Sequence, residues 1–209
     1  MTKVVWGAFA LAACAWGTAS AWAEDLEILD PQIAQAFAQA LTEVAEKVEK
    51  PQVKVDADLE KSCGVHLDQT GLIIVPQKDI KPENDAVNSD PGAPVGHLFM
   101  SQNFTPVIDG KAVDPAKIRT ITFSGQDGNE HKVNYLILAA RHTDDDVWHL
   151  YAYGTDSKPL LDARIGEGTG PGTQPIALEV KVLENGEATA YVTFFDQYQC
   201  TFKVKHKAE

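Results

Sequence analysis

RHTDDDVWHLY, residues 141 to 151, packs two histidines, three consecutive aspartates and two aromatic residues into eleven positions. Imidazoles and carboxylates at this density are the raw material of a divalent-metal site or an acid–base pair. In the metal reading, His142 and His149 are ligands, with Asp144 and Asp146 beside them tuning charge. Zinc or copper needs three or four donors, so two histidines make half a site. His66, His97, His131 or Met100 would have to be brought in by folding. Calcium is a poor fit, because three adjacent aspartates cannot all face one ion and the spaced aspartate–glycine calcium loop is absent. TDDD also has an ordinary rationale as a solvated turn: aspartate accepts local backbone hydrogen bonds and tolerates tight conformations. That ordinary reading is the stronger one, and the metal is its rival.

The two readings separate on strand parity. If an even-numbered connection is centred in TDDD, His142 and His149 share one sheet face, opposite or diagonal to each other. A three- or five-residue connection puts them on opposite faces and ends the shared-ion idea.

Other chemistry is weaker. No G-x-S-x-G elbow accompanies Ser101, Ser124 or Ser157. GEGTGPGT has glycines but not the G-K-[ST] of a phosphate loop. GAPVGHLFM, residues 92 to 100, offers His97 and Met100 as soft donors, but its plain reading is a loop entering a strand with Met100 in the core. A hydrolase would need a nucleophile that the sequence does not display.

The elements that position these residues begin after an N-terminal leader. Lys3, an apolar run from Val4, and Ala21-Trp22-Ala23 form a secretory signal over residues 1–23. The apolar core is too short for a membrane span. LAAC, ending at Cys14, also resembles a lipoprotein box, so lipid anchoring through Cys14 is the lesser alternative to a periplasmic or secreted protein. Loss of the leader leaves 186 residues and takes the net charge from −12 to −13. That charge argues against nucleic acid and anionic membranes as partners. Cys63 and Cys200 are then the remaining cysteines. In an oxidising compartment they are expected to pair, closing a loop of about 138 residues worth roughly 5 kcal/mol.

Asp30-Pro31 followed by QIAQAFAQALTEVAEKVEK predicts an amphipathic helix within residues 24–51, capped by Asp30 and ended by Pro51. Ile33, Phe37, Leu41, Val44 and Val48 form its stripe, which should cover a sheet. Residues 52–209 read as one β domain. Val53-Lys54-Val55 alternates, residues 72–75 form a buried-strand pattern, and residues 77–95 read as a long exposed loop. Strands follow from residue 96, over 118–125 and on both sides of TDDD. A glycine-rich connection then spans 166–175. IALEVKVLENGEATAYVTFF is a hairpin in which a two-residue Asn185-Gly186 turn aligns Val182 with Thr189, Val180 with Tyr191 and Leu178 with Thr193. The last strand alternates so that Cys200 points inward.

The expected fold is mainly β, an antiparallel β-sandwich or partial barrel with one N-terminal amphipathic helix. The expected function is exported, non-catalytic binding of an unknown ligand or envelope partner. No cofactor is implied beyond the rival divalent metal. The binding surface is expected on the 77–95 loop, the TDDD turn and the 166–175 loop.

Overall fold

The computed structural model describes residues 26–68, 70–81, 84–125, 128–143, 145–170, 175–182 and 186–206. The expected leader, Cys14 and Asp144 lie outside these residues. Thirteen strands and one helix occur in the order Glu27–Ile28 (β1), Pro31–Ala45 (α1), Cys63–Leu67 (β2), Thr70–Pro76 (β3), Ala93–Ser101 (β4), Phe104–Ile108 (β5), Lys111–Ala112 (β6), Arg119–Ser124 (β7), Glu130–His142 (β8), Trp148–Tyr153 (β9), Leu161–Glu167 (β10), Ile176–Val182 (β11), Glu187–Phe194 (β12) and Tyr198–His206 (β13). Every strand pairing is antiparallel.

The main path around the wall is β1-β2-β3-β4-β8-β9-β10-β13-β12-β11. β11 comes back beside β2, so the wall is a nearly closed barrel rather than two stacked sheets. Period-2 alternation explains this closure. Leu72 and Ile74, Leu98 and Met100, Leu136 and Leu138, Leu150 and Ala152 face inward on successive strands, joined by Leu178, Val180, Val192 and Val204 from the far wall. Side chains fill the interior, as in small barrels generally.

Two strands share their outer edges, and this governs the site. One edge of β8 carries β7 at Glu130–Tyr135 and β9 at Ile137–His142. One edge of β13 carries β10 at Tyr198 and Gln199, and β5 from Lys203 to His206. The β9–β10 hairpin is thus a tongue let into the wall, hydrogen-bonded along β8 but barely along β13.

α1 lies outside the barrel on a second apolar layer formed by Val75, Phe99, Tyr135, Ile137 and Tyr153. Its N-terminus is built as the sequence predicts, with the Asp30 carboxylate accepting from the Gln32 amide at 2.9 Å and the Ile33 amide at 3.3 Å, and Pro31 following. The deepest positions are Ala34, Ala38, Leu41 and Ala45, while Phe37, Val44 and Val48 are half-buried at the flanks. Small residues let the helix backbone lie close to the sheet. The helix ends at Ala45, before Pro51.

Several sequence expectations are corrected. Val53 and Val55 are buried but belong to no strand; they pack under the helix. Residues 77–95 are not one long exposed loop. They hold a 3-10 turn at Asp85–Asn88 with Val87 buried, and β4 begins at Ala93. β10 lies where no strand was expected. In the β11–β12 hairpin Val182 faces Ala188, Val180 faces Ala190 and Leu178 faces Val192. This is one residue from the two-residue-turn register, so Tyr191 turns outward under the Lys181 ammonium, 5.1 Å from its ring centre. Gly186, at φ 75°, takes the left-handed conformation that the longer connection uses.

Candidate functional site

The TDDD connection closes with five residues between paired strands: His142 faces Trp148 and Arg141 faces His149. The Thr143 amide and hydroxyl both donate to the Val147 carbonyl, at 2.9 and 3.0 Å, and Asp146 adopts φ 61°. Aspartate tolerates that left-handed conformation, and it gives the odd count. His142 and His149 therefore lie on opposite faces of the wall, and the shared-ion site falls.

His142 belongs to the barrel mouth. Its Nε2 is 2.9 Å from Asp146 Oδ1, its Nδ1 is 3.4 Å from Asn88 Oδ1, and its ring stacks on Trp148 with centroids 4.8 Å apart. The Thr143 hydroxyl donates to Asp145 and holds that carboxyl below its usual range. The segment expected as a loop docks here. Arg141 donates to the Val87 carbonyl at 3.2 Å and pairs with Asp90 at 3.2 Å. Tyr153 donates to the Pro91 carbonyl at 2.8 Å. Gly92, at φ 102°, lies so close to Ala140 that a Cβ would meet its carbonyl oxygen at 2.5 Å. Residues 168 and 170, from the third expected loop, bond to the β12–β13 turn at the same end. The three loops do share one end of the barrel, where the first two bond to each other and the third to the β12–β13 turn.

His149 faces outward in a different setting. Its Nδ1 is 2.5 Å from Asp162 Oδ1, and Arg164 stands directly across the ladder. Asp162 and Arg164 sit on β10 and escaped the sequence reading, although Leu161, Ala163 and Ile165 alternate with them as a half-buried strand should. Beyond Gly166 and Glu167 the β10–β13 ladder stops. Had it continued, Arg164 would face Thr201 and Asp162 would face Lys203. Instead the strands part, and a cleft of about 710 Å³ opens among β10, β13 and β5. A second concavity of about 420 Å³ adjoins it, sharing Ile108, Pro159 and Leu160, and runs toward Lys117 and Asp114. Together they form a slot along the unpaired edge of β10.

The slot's floor is core seen through the gap: Leu161, Ala163 and Phe202. Five lysines and arginines and four aspartates line it, in a chain with 18 basic against 30 acidic residues. The slot is thus close to charge balance on an anionic protein. Lys203 also pairs with Glu187 at 3.5 Å.

The remaining candidates disperse. His97 and Met100 point to opposite faces of β4, with Met100 in the barrel core. His97 is buried outside the barrel, its Nδ1 2.8 Å from the Tyr135 hydroxyl. Burial lowers its pKa to about 4, so the ring is neutral at pH 7. The expected bond between Cys63 and Cys200 is not formed; both are free thiols. β11 and β12 lie between their strands around the wall, three strand spacings of about 4.8 Å, whereas a disulfide joins Cα atoms within about 7 Å. Cys63 is partly exposed as a residue, but its sulfur is sunk against the Leu178 backbone, and burial raises both thiols to about 12. Among the described residues no group of three or more His, Cys, Asp or Glu is placed to hold a metal ion. Nor is any described helix long and apolar enough to cross a membrane.

Comparison of the chain with protein-family models, with characterised proteins and with solved structures finds no match.

Proposed function

We propose that this chain is an exported, non-catalytic binding protein that holds its ligand on the outside of a filled barrel, in the slot along β10. One observation carries the reading: the wall opens where β10 and β13 part, and the opening combines an apolar floor with a charged rim. Binding sites are concave and largely apolar, with few polar groups for orientation, and both concavities fall within the usual size range of about 300–1,000 Å³. The leader over residues 1–23 supports export. The filled interior directs the ligand to the outer wall.

A hydrolase is the second reading, and the His149–Asp162 pair is what favours it. The hydroxyls lining that cleft belong to Thr189 and Thr201, with no serine or cysteine among its lining residues. Without an activated nucleophile beside the imidazole, the pair serves to orient and charge the rim.

A photo-cross-linking residue at Thr201 tests the reading in the living cell, with Lys132, exposed near the start of β8, as the control position. A specific adduct from position 201 alone is the expected result. The same adducts from both positions, or none from 201, would remove the slot as the binding surface.

A further inference from the structure

The slot is bounded in a way that selects its occupant. On one side β10 presents Leu161–Ile165, bonded to β9 along one edge only. On the other side stand β5 and the two-residue β6. A strand edge with unpaired amides and carbonyls is a template for one more strand. Across the gap stand β5, β6 and the Thr201–Lys203 stretch of β13. A single extended chain needs only the one free edge of β10 to pair with.

We infer that the slot takes an extended peptide segment of a partner protein, added as an extra strand along β10. The inference rests on the binding reading above and names the class of ligand. Main-chain hydrogen bonds to β10 supply the common part of the affinity, and alternate side chains supply the selectivity. In an extended chain successive side chains point to opposite faces. Every second residue of the peptide therefore meets Leu160, Leu161 and Phe202 and is apolar. The intervening residues meet the rim, where Arg164 has no ion pair among the described residues. A carboxylate on the peptide is the complement of Arg164 there.

The edge also sets which amides respond. Successive amides of a strand point to opposite edges, so alternate residues of Leu161–Ile165 are engaged by β9 while the others face the slot. The slot-facing set exchanges quickly in the free protein and becomes protected on binding.

A random dodecapeptide display library, selected on the purified protein and counter-selected on Thr201→Trp, supplies the probe. Thr201 is exposed on the slot wall, so its indole fills the slot without entering the core. Arg164→Glu is the second variant, and thermal melts confirm that both are folded. Selected peptides should alternate apolar and polar residues, carry a carboxylate, and slow exchange at alternate residues of Leu161–Ile165 at least tenfold. Each variant should weaken them at least tenfold. Peptides that shift slot resonances but leave the β10 amides unprotected would overturn strand addition and leave the slot as a binding surface. No enrichment over Thr201→Trp, with the position-201 cross-link still formed, would overturn the peptide class. Loss of both the enrichment and the cross-link would overturn the binding reading itself.

Discussion

The wall formed by β3, β4, β8 and β9 separates two apolar compartments built to different rules. Inside the barrel, Leu72, Leu98, Leu136, Leu138 and Leu150 are fully buried, and the heteroatoms near the Cys63 end are thiols. Asn134, near the start of β8, donates to the Phe104 carbonyl at 3.0 Å. Under the helix, by contrast, aromatic rings carry polar atoms. Phe99 and Tyr135 stack with centroids 5.2 Å apart, and His97 tilts against both. His97 Nε2 and Thr42 Oγ1 are buried without a hydrogen-bond partner among the described residues. The interior therefore sets how stable the fold is, and the helix-covered layer sets how that stability depends on conditions. Buried polar groups carry costs that change with protonation, whereas hydrocarbon does not.

The sharpest way to break the comparison is to ask whether the interior is as dry as its packing indicates. With both thiols raised from 9.0 to about 12, the native thiolate population at pH 8 is about a thousandfold below that of an unperturbed cysteine. Iodoacetamide should label neither Cys63 nor Cys200 in the native protein at pH 8, and both once urea is added. Rapid native labelling would show the wall open at the β2–β11 seam. Next in size, Leu138→Ala should cost about 3–4 kcal/mol in urea unfolding, the range for a cavity that a rigid wall cannot collapse. A loss under 1 kcal/mol would mean the barrel repacks freely.

The helix-covered layer makes the third test. His97 is held neutral, with its pKa lowered from 6.5 to about 4. A lowered histidine pKa leaves stability intact above pH 6.5, where both folded and unfolded forms are neutral. Stability then falls as the unfolded chain takes up the proton first, levelling off below about pH 4 at a loss of about 3 kcal/mol. Urea unfolding of wild type and His97→Leu at pH 7 and pH 4 measures the difference. The gap between the two proteins should move in favour of the variant by that amount on acidification, and an unchanged gap would place His97 in contact with water. Smallest is the cap. Asp30→Ala removes the acceptor for two helix amides and should cost about 1 kcal/mol, read as a lower melting temperature. The effect should stay confined to α1 and the layer beneath it in hydrogen exchange, leaving the barrel interior protected.

What was legible in the sequence, and what was not, follows one physical rule. The inward alternation of Leu136 with Leu138, of Leu178 with Val180 and of Cys200 with Phe202 is local, and it predicted those strands and the mainly β, antiparallel class. Register depends on how many residues the turns consume, and both turns take one residue away from the even count. At TDDD this moved His149 to the outer face. At Asn185-Gly186 it moved Tyr191 out and Ala190 in. A single residue inverts every partner because the side-chain period is two. The slot was illegible for another reason: it is made where a ladder fails to continue, between β10 and a strand more than thirty residues later in the chain. Only β10 itself could have been found, from Leu161, Ala163 and Ile165.

β13 gives the fold a timing as well as a shape. Its ladders join β12, β10 and β5, so strands from three parts of the chain wait on residues that follow all of them. Until Tyr198–His206 are available, the β5–β6 hairpin has no other strand to pair with, and the β9–β10 tongue is held along β8 alone. Folding is then dominated by contacts distant in sequence, which makes it slow. A chain in which β13 has not yet paired exposes open strand edges, the state that chaperones hold.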